Sequence, residues 1–433
     1  MPENRYLFSS EGNLKRLFFS LIVFAIVVTA CGSDANIAKS KLRRERNPQV
    51  LDANLSTLVS GNNTFALDLY QSLRTKEKNF VISPYSISTA FAMTYAGARG
   101  ETAAQIASTL HFDLPEDQLH SAFNTLDLAL ANHAQIKVPK DRDPIQLNIA
   151  NAVWAQEDLP FQTPFLDTLG SNYGAGVHLA DFVKNPDAAR REVNDWAERE
   201  TKGKIKDMVP EEAFDPRTRL VLLNAIYFEA NWQTFFDSTE DMPFYPLDGS
   251  RIAVPTMSLY EGGFPYAEDE NWFAIQLPYA GETFAMLVIV PRAGEFEEFE
   301  AGLDYQLLTR IISSLEGTGV NLTFPKFTFT NDFNLAKNLK TLGIADAFHG
   351  NADFSGITGS PDLYLDDALH KTYVAVDEEG TTAAAVTEIE FMMINDNMVE
   401  EIPVDINRPF IFVIRDVESG QILFIGRVLN PIK

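Results

Sequence analysis

Cysteine is almost absent from this sequence, since Cys31 is the only one among 433 residues. No disulfide can form within a single chain, so the stability of the fold has to come from core packing. Long apolar runs are also scarce. The run near the N-terminus, residues 17–30, is fourteen residues long, whereas a helix that spans a bilayer needs about 20. These absences exclude a disulfide-bonded scaffold and argue against a membrane-embedded protein.

Positive charge is in short supply. Lys and Arg together number 35 against 60 Asp and Glu, which gives a formal net charge of −25. A general nucleic-acid role is not expected, because the phosphate backbone would be repelled. The acidity fits a basic partner or serves solubility alone, and the composition leaves both open.

Common catalytic motifs are missing as well. The sequence has no Gly-x-Ser-x-Gly elbow, no His-Glu-x-x-His helix and no Gly-x-x-x-x-Gly-Lys phosphate loop. The histidines do not pair at metal-ligand spacing, so no metal and no cofactor is expected. A serine hydrolase with a dispersed triad stays possible on sequence grounds, because triads are spatial arrangements. The six histidines are His111, His120, His133, His178, His349 and His370.

The N-terminal run has the features of an export signal. Lys15 and Arg16 precede it, and its length suits the apolar core of a signal peptide. It ends Val28-Thr-Ala-Cys31, which resembles the bacterial lipobox, in which the cysteine becomes the lipidated first residue of the mature protein. An ordinary signal peptide cut nearby is the alternative. We expect residues 1–30 to be a signal peptide and the protein to be a secreted lipoprotein of the cell envelope, on its surface or periplasmic side.

Residues 31–53 are polar and basic, and we expect them to form a tether between the lipid and the folded domain. Residues 54–433 contain no low-complexity break, long linker or repeat, so they are expected to form one domain. The basic residues of the tether are Lys39, Lys41, Arg43, Arg44 and Arg46.

Apolar periodicity predicts helices in the first half of the domain and strands in the second, an α+β arrangement with large sheets. Several strands are almost entirely apolar, which indicates burial on both faces. Across Pro325 the alternation slips by one residue, so a bulge or an edge is expected there. The predicted helices are 86–98 and 188–202, and the predicted strands are 219–228, 272–277, 283–290, 321–330, 371–376, 410–415 and 422–428.

The segment after Val376 is unusual. Read with a period of two, Thr381, Ala383, Ala385 and Thr387 fall on one side, together with later apolar residues and without any charge. No proline occurs between Gly380 and Ile402, so every backbone donor that a central strand needs is available. A surface strand or an Ala-rich helix is the alternative. The whole run is Glu378, Glu379, Gly380, Thr381, Thr382, Ala383, Ala384, Ala385, Val386 and Thr387.

This run resembles the hinge of the reactive-centre loop of the serpins, a family of serine protease inhibitors, and the resemblance extends over nearly the whole domain. Six other blocks agree in order, which is much more specific than one short motif. They begin at Asn79 (Asn-Phe-Val-Ile-Ser-Pro), Leu223 (Leu-Asn-Ala-Ile-Tyr-Phe), Ala352 (Ala-Asp-Phe-Ser-Gly), His370 (His-Lys-Thr-Tyr-Val), Asn407 (Asn-Arg-Pro-Phe) and Phe424 (Phe-Ile-Gly-Arg-Val).

The resemblance implies a monomer with three sheets, about nine helices and an exposed loop, acting as an inhibitor and not an enzyme. The target protease cleaves the loop and forms a covalent acyl-enzyme. The loop then inserts into the main sheet and carries the protease along. Small uncharged side chains at alternate positions suit such rapid burial. Fifteen residues, 380–394, would extend about 50 Å as a strand.

The resemblance also assigns individual residues. A polar cluster beneath the opening of the sheet, called the shutter, is implied for Ser83, Ser86, Asn224 and His370. Trp232 matches an aromatic residue at the top of the opening, called the breach. Lys326, also in the breach, is implied to pair with Glu378.

The reactive bond is expected between Ile394 and Asn395. Counting fourteen residues from Gly380 gives Ile394, with its neighbour Met393 as an alternative, whereas counting eleven back from Pro409 gives Met398. The counts differ because the loop is about four residues longer than the family's usual loop.

A medium-sized apolar residue at the cut favours elastase-, chymotrypsin- or subtilisin-like serine proteases, with cysteine proteases as further candidates. Trypsin-like targets are disfavoured because no Lys or Arg lies between Lys371 and Arg408. Acidic residues beyond the cut would attract a basic protease surface. They are Asp396, Glu400, Glu401 and Asp405.

Three positions depart from the family pattern. Thr382 replaces a more usual Glu, Val386 replaces a more usual Ala, and Ala230 stands where Gly is frequent. The first two are compatible with a strand, so little harm is expected. A non-inhibitory binding protein with the same fold is the alternative function, although its hinge would be expected to carry bulky or charged inward residues.

Overall fold

Ten α-helices and two large β-sheets build the part of the chain that the structure, a computed structural model, describes: residues 36–74, 78–381 and 401–432. A π-helical turn at Leu169–Tyr173 and a 3-10 turn at Asp346–Phe348 accompany the helices. The α-helices are α1 (Asp52–Leu73), α2 (Pro84–Tyr95), α3 (Gly100–Leu110), α4 (Glu116–His133), α5 (Thr163–Thr168), α6 (Pro186–Glu200), α7 (Phe296–Gly302), α8 (Tyr305–Ser313), α9 (Ala336–Leu342) and α10 (Ser355–Thr358).

The sixteen described strands are β1 (Ile37–Ala38), β2 (Phe80–Ile82), β3 (Gln146–Gln156), β4 (Val177–Ala180), β5 (Leu220–Asn231), β6 (Ser238–Phe244), β7 (Ile252–Glu268), β8 (Trp272–Pro278), β9 (Phe284–Pro291), β10 (Glu316–Pro325), β11 (Phe327–Asn334), β12 (Asp367–Val376), β13 (Gly380–Thr381), β14 (Ile402–Asp405), β15 (Phe410–Asp416) and β16 (Ile422–Val428). The α+β class expected from the sequence is confirmed.

The main sheet has seven strands in the order β1-β4-β3-β5-β13-β12-β11. The second sheet runs β14-β10-β7-β8-β9-β15-β16-β2, with β6 paired to β7. The resemblance implies three sheets. Among the described residues, β7 joins two of them, because its 17 residues pair with β6 and β10 and, at the end, with β8.

The core is built around α2 and the inner strands of the second sheet. Every residue of α2 from Pro84 to Thr94 is buried, and a helix that is covered all round belongs inside a core. Pro84 opens the helix at its first turn, where a missing N–H is tolerated. Strands β9, β15 and β16 are buried along their whole length, as their almost entirely apolar sequences predict.

The single strand predicted over 321–330 is wrong. The chain forms β10 in the second sheet up to Pro325 and β11 in the main sheet from Phe327. Between them the Lys326 amide donates to the Pro255 carbonyl at 2.9 Å. The slip in alternation marks a crossing between sheets: Phe324 and Phe327 are both buried, with ring centroids 6.0 Å apart.

Residues 36–51, which we call the arm, lie against the domain ahead of α1. Ile37 pairs with His178 on β4, so the arm adds an edge strand to the main sheet. These residues belong to the segment that the sequence predicts as a tether; the boundaries of signal peptide, tether and domain stay predictions. No helix in the described ranges is long and apolar enough to cross a membrane.

Candidate functional site: the hinge and the seam of the main sheet

The hinge begins inside the main sheet. Strand β13 lies between β5 and β12, where Gly380 is opposite Asn231 and Thr381 is opposite both Ala230 and Val376. Further along, β5 and β12 pair directly and in parallel, from Val221 with Asp367 to Ile226 with Thr372. We call this direct pairing the seam. The sheet is thus closed along the seam. Gly380 and Thr381 lie between β5 and β12 beyond the end of the seam that is nearer to Ala230, which we call its upper end.

Thr381 is buried on the core side of the sheet, with 1% of its surface exposed. Its hydroxyl lies 2.7 Å from the hydroxyl of Tyr279. Burial raises the pKa of Tyr279, so this phenol stays protonated and available for hydrogen bonding. The Tyr279 ring stacks on Trp232 with centroids 4.6 Å apart and planes 10° apart. The predicted breach aromatic therefore supports a tyrosine that sequence reasoning missed.

Gly380 is required by a close backbone approach. A Cβ built on this residue would lie 2.1 Å from the Ala230 carbonyl oxygen and 2.7 Å from the Asn231 Cα. Real Cβ atoms do not come so near to backbone atoms, so only glycine fits beside β5 without a shift.

The turn at residues 377–380 fixes the first residues of the hinge. The Asp377 carboxylate accepts the backbone N–H groups of Glu379 and Gly380, both at 3.1 Å. Trp232, the residue after β5, holds the same turn: its backbone N–H donates to the Glu379 carbonyl at 2.7 Å and its indole N–H to the Asp377 carbonyl at 2.9 Å. An aspartate two residues ahead of backbone donors is an ordinary turn signal, and it could have been recognised in the sequence.

Lys326 and Glu378 form the ion pair that the resemblance implies, with Nζ 2.6 Å from the carboxylate. Thr239 donates a second hydrogen bond to Glu378. Although partial burial alone raises the pKa of Glu378, these hydrogen bonds hold it below its ordinary value. Both charged side chains are about one third exposed, so the pair is worth under about 1 kcal/mol.

The four predicted shutter residues lie together across the seam. His370 is opposite Asn224 in the β12–β5 register, and its Nδ1 hydrogen-bonds the Asn224 side-chain oxygen. The Ser83 backbone N–H donates to His370 Nε2 at 3.0 Å, so His370 is neutral with its proton on Nδ1. Complete burial lowers its pKa to about 3. On the other side, the Asn224 amide donates to the Ser86 hydroxyl.

Asn151 on β3 is part of this cluster and was missed. Its side-chain oxygen accepts hydrogen bonds from Ser86, at 2.9 Å, and from the Asn224 amide. The available signal was a single amide inside the apolar run Ile149-Ala-Asn-Ala-Val153. Separation of β5 from β12 would break the bond between Asn224 and His370, so this cluster opposes opening of the seam.

The described chain leaves the main sheet at Thr381 and is next described from Glu401, with Ile402 opposite Val320 in the second sheet. The remaining predicted sites lie outside the described residues. They are Cys31, Thr382, Ala383, Ala384, Ala385, Val386, Thr387, Met393, Ile394, Asn395 and Met398. In the described ranges, no group of three or more His, Cys, Asp or Glu could hold a metal ion.

The mixed α+β fold, with a main sheet closed along one seam and the start of the predicted hinge seated beyond it, is the arrangement that the resemblance implies. The family model for the serpins (serine protease inhibitors) matches residues 60–431, and the chain belongs to this family. Its members are protease inhibitors and not enzymes.

Relatives and solved structures agree. The chain is 38% identical over 378 residues to an uncharacterized serpin-like protein of Thermococcus kodakarensis, covering 86% of each. It is 35% identical to the leukocyte elastase inhibitor of Equus caballus, covering 87% of this chain and 100% of the relative. The native thermophilic serpin tengpin has a TM-score of 0.79 and 29% identity, covering 91% of this chain and 100% of the other.

Proposed function

We propose that this protein is an irreversible suicide-substrate inhibitor of serine proteases. The observation that carries the proposal is the position of Thr381, seated in register between β5 and β12 at the upper end of the seam. A strand growing from Thr381 would continue antiparallel to β5, replacing the direct contact between β5 and β12. Cleavage in the loop would free the segment to do so, and new ladder hydrogen bonds with apolar burial would supply the driving free energy.

The register supports a cut at Ile394. Each further loop residue moves one residue back along β5 from Ala230, so residue 390 would come opposite Val221, where the seam ends. A protease acylated at Ile394 would then lie just beyond the end of the sheet. A cut at Met398 would leave four more residues past that end. We therefore propose the Ile394–Asn395 bond, with Met393–Ile394 as its neighbour.

We propose elastase-like proteases as the first target class. Met393 and Ile394 suit a medium apolar specificity pocket, and a relative at 35% identity is named a leukocyte elastase inhibitor. Chymotrypsin- and subtilisin-like enzymes follow on the same chemistry, and cysteine proteases would be trapped through the analogous thioacyl step.

We also propose that the protein is exported, lipidated on Cys31 and held at the cell envelope as a monomeric inhibitor. The support is the lipobox-like ending of the apolar run and the absence of any other cysteine. Cys31→Ser should move the protein from the membrane fraction to the soluble one, with Ser33→Cys in the same chain as a control that restores a thiol at the wrong position. Retention of Cys31→Ser in the membrane fraction would contradict lipid anchorage.

The experiment for the inhibitory function is incubation with an elastase-like protease, followed by a denaturing gel and sequencing of the released peptide. We expect a band of summed mass that survives denaturation, and a released peptide that starts at Asn395 or Ile394. A trypsin-like protease is the matched control. Cleaved chain with fully active elastase across such enzymes would instead favour a non-inhibitory binding protein of the same fold.

A further inference from the structure

The arm carries an unusual concentration of positive charge. Five of the 35 basic residues of the chain fall within residues 39–46, beside a single acidic residue, Glu45. The whole protein carries a net charge of −25, so this segment has the opposite sign to its surroundings. One of the five basic residues, Arg44, makes side-chain hydrogen bonds to the domain, and the other four are exposed.

Arg44 is the one that binds the domain. Its guanidinium donates to the Asn124 side-chain oxygen and to the Asp127 carboxylate on α4, both at 2.7 Å. The next residue continues this attachment, because the Glu45 backbone N–H donates to the Ser171 carbonyl at 2.8 Å. These contacts hold the arm in one place on the surface of the domain.

The surface beneath the arm is shaped for it by three glycines. A Cβ at Gly176 would lie 2.6 Å from the Ala38 carbonyl oxygen, and a Cβ at Gly170 would lie 2.9 Å from the Ser40 Cβ. Gly174, with φ +64°, lies under the Arg44 side chain. Larger residues would push the arm away, so the arm is a built part of this face.

The other four basic residues of the arm, Lys39, Lys41, Arg43 and Arg46, are exposed. Leu42, between two of them, is itself 54% exposed. A fixed group of cations around an exposed apolar side chain is the chemistry that anionic lipid surfaces attract.

The arm enters the main sheet near the end opposite the hinge. One row of paired residues crosses the sheet from the arm to β5. In this row Ile37 pairs with His178 on β4, His178 with Trp154 on β3, and Trp154 with Val221 on β5. Thr381 is opposite Ala230 on the same strand. Nine residues of strand separate the two rows, roughly 30 Å.

We propose that the arm is a docking surface for anionic phospholipid headgroups, which holds this end of the main sheet against a bilayer and the hinge end away from it. The negative charge of the remaining surface is repelled by the same bilayer and so favours this single orientation. The proposal stands apart from protease inhibition and from lipidation. If Cys31 is acylated, the arm begins only five residues after the anchor, and the two would act on the same membrane.

The test uses a chain that lacks residues 1–31, the expected signal peptide and the lipidated cysteine, so that a lipid anchor cannot contribute to binding. Binding is measured by co-sedimentation with vesicles of phosphatidylglycerol and phosphatidylcholine, and with phosphatidylcholine alone. We expect binding only to the anionic vesicles and its loss at high salt. Replacement of Lys39, Lys41, Arg43 and Arg46 by Gln should weaken it at least ~10-fold.

A control variant carries the same change in net charge elsewhere. It replaces the exposed residues Lys137, Arg251, Arg310 and Lys337 by Gln and should keep the affinity of the parent chain. Equal weakening in both variants, or equal binding to neutral vesicles, would overturn the proposal. Arm-dependent binding to a soluble polyanionic polysaccharide with no binding to vesicles would overturn it as well.

Orientation has its own readout, because the chain without Cys31 has no cysteine and accepts a single labelled one. Gln49→Cys places a donor dye on the arm, and Asp241→Cys places it on β6, near Thr239 and the hinge. Energy transfer to a lipid-borne acceptor should be much stronger from the arm position. Equal transfer from both positions would contradict the proposed orientation.

Discussion

The hydroxyl groups of Thr381 and Tyr279 lie 2.7 Å apart in the buried interior, between the main sheet and the core. The first inward side chain of the hinge is therefore already seated while the chain is continuous. Loop insertion, on this account, extends a strand that has begun and does not have to start one. The closed seam and the shutter cluster are what stand in its way.

A double-mutant cycle should measure this contact. Tyr279→Phe and Thr381→Val each remove one hydroxyl and leave the packing nearly unchanged. We expect a coupling of about 1 kcal/mol in the first unfolding transition, the usual net worth of a buried hydrogen bond. Tyr260→Phe, at an exposed tyrosine, is the control and should be neutral. Additive effects of the two core variants would show that the hydroxyls do not interact.

Thr381→Arg should destabilise the uncleaved protein. Thr381 is 1% exposed, and an unpaired buried charge costs several kcal/mol even after relaxation. The sequence alone predicts only slower insertion for this variant. Thr382→Arg, one residue further and on the other side by the period-two pattern, is the matched control. The midpoint of thermal unfolding decides, and equal midpoints for the two variants would contradict the burial of residue 381.

His370 should make the closed seam sensitive to acid. Its pKa is about 3 in the folded protein, against about 6.5 when unfolded. Between these values the unfolded state binds more protons, so the free energy of unfolding falls as the pH falls. The slope for one such group is about 1.4 kcal/mol per pH unit.

The measurement is denaturant unfolding between pH 7 and 4.5, for the parent chain and for His370→Gln. The variant should lose the slope contributed by one histidine, because Gln does not titrate. Identical slopes for the parent and His370→Gln would mean that His370 is not buried in its neutral form.

The sequence predicts most of this architecture for identifiable reasons. Continuous apolar runs such as 284–291 predict strands covered on both faces. The period-two pattern places Thr381 on the uncharged side of the hinge, and the structure shows that its side chain is buried. The cluster of Ser83, Ser86, Asn224 and His370 could be named only through resemblance, since these residues are far apart in sequence and their contacts depend on the register between β5 and β12.

The sequence could not show which side chains contact each other in the fold. Tyr279 looks like any core tyrosine until its hydroxyl is seen beside Thr381. The predicted strand 321–330 is wrong because the periodicity of apolar residues indicates which side chains are buried. It does not indicate that the residues before and after Lys326 belong to different sheets. The contacts of Arg44 could not be predicted from the sequence of the tether. A basic polar segment is expected to be solvated unless its acidic and amide partners, here on α4, are known.

The central claim is that the loop enters the main sheet with alternate residues facing inward, and Arg scanning tests it most directly. Because Thr381 faces inward and side chains alternate along a strand, Ala383→Arg places a charge on the inward side and Ala384→Arg places it on the outward side. The measurement is the number of inhibitor molecules consumed for each elastase-like protease molecule inactivated. We predict a several-fold increase for Ala383→Arg, which becomes a substrate, and a value near that of the parent for Ala384→Arg. Equal values for the two variants would contradict strand insertion.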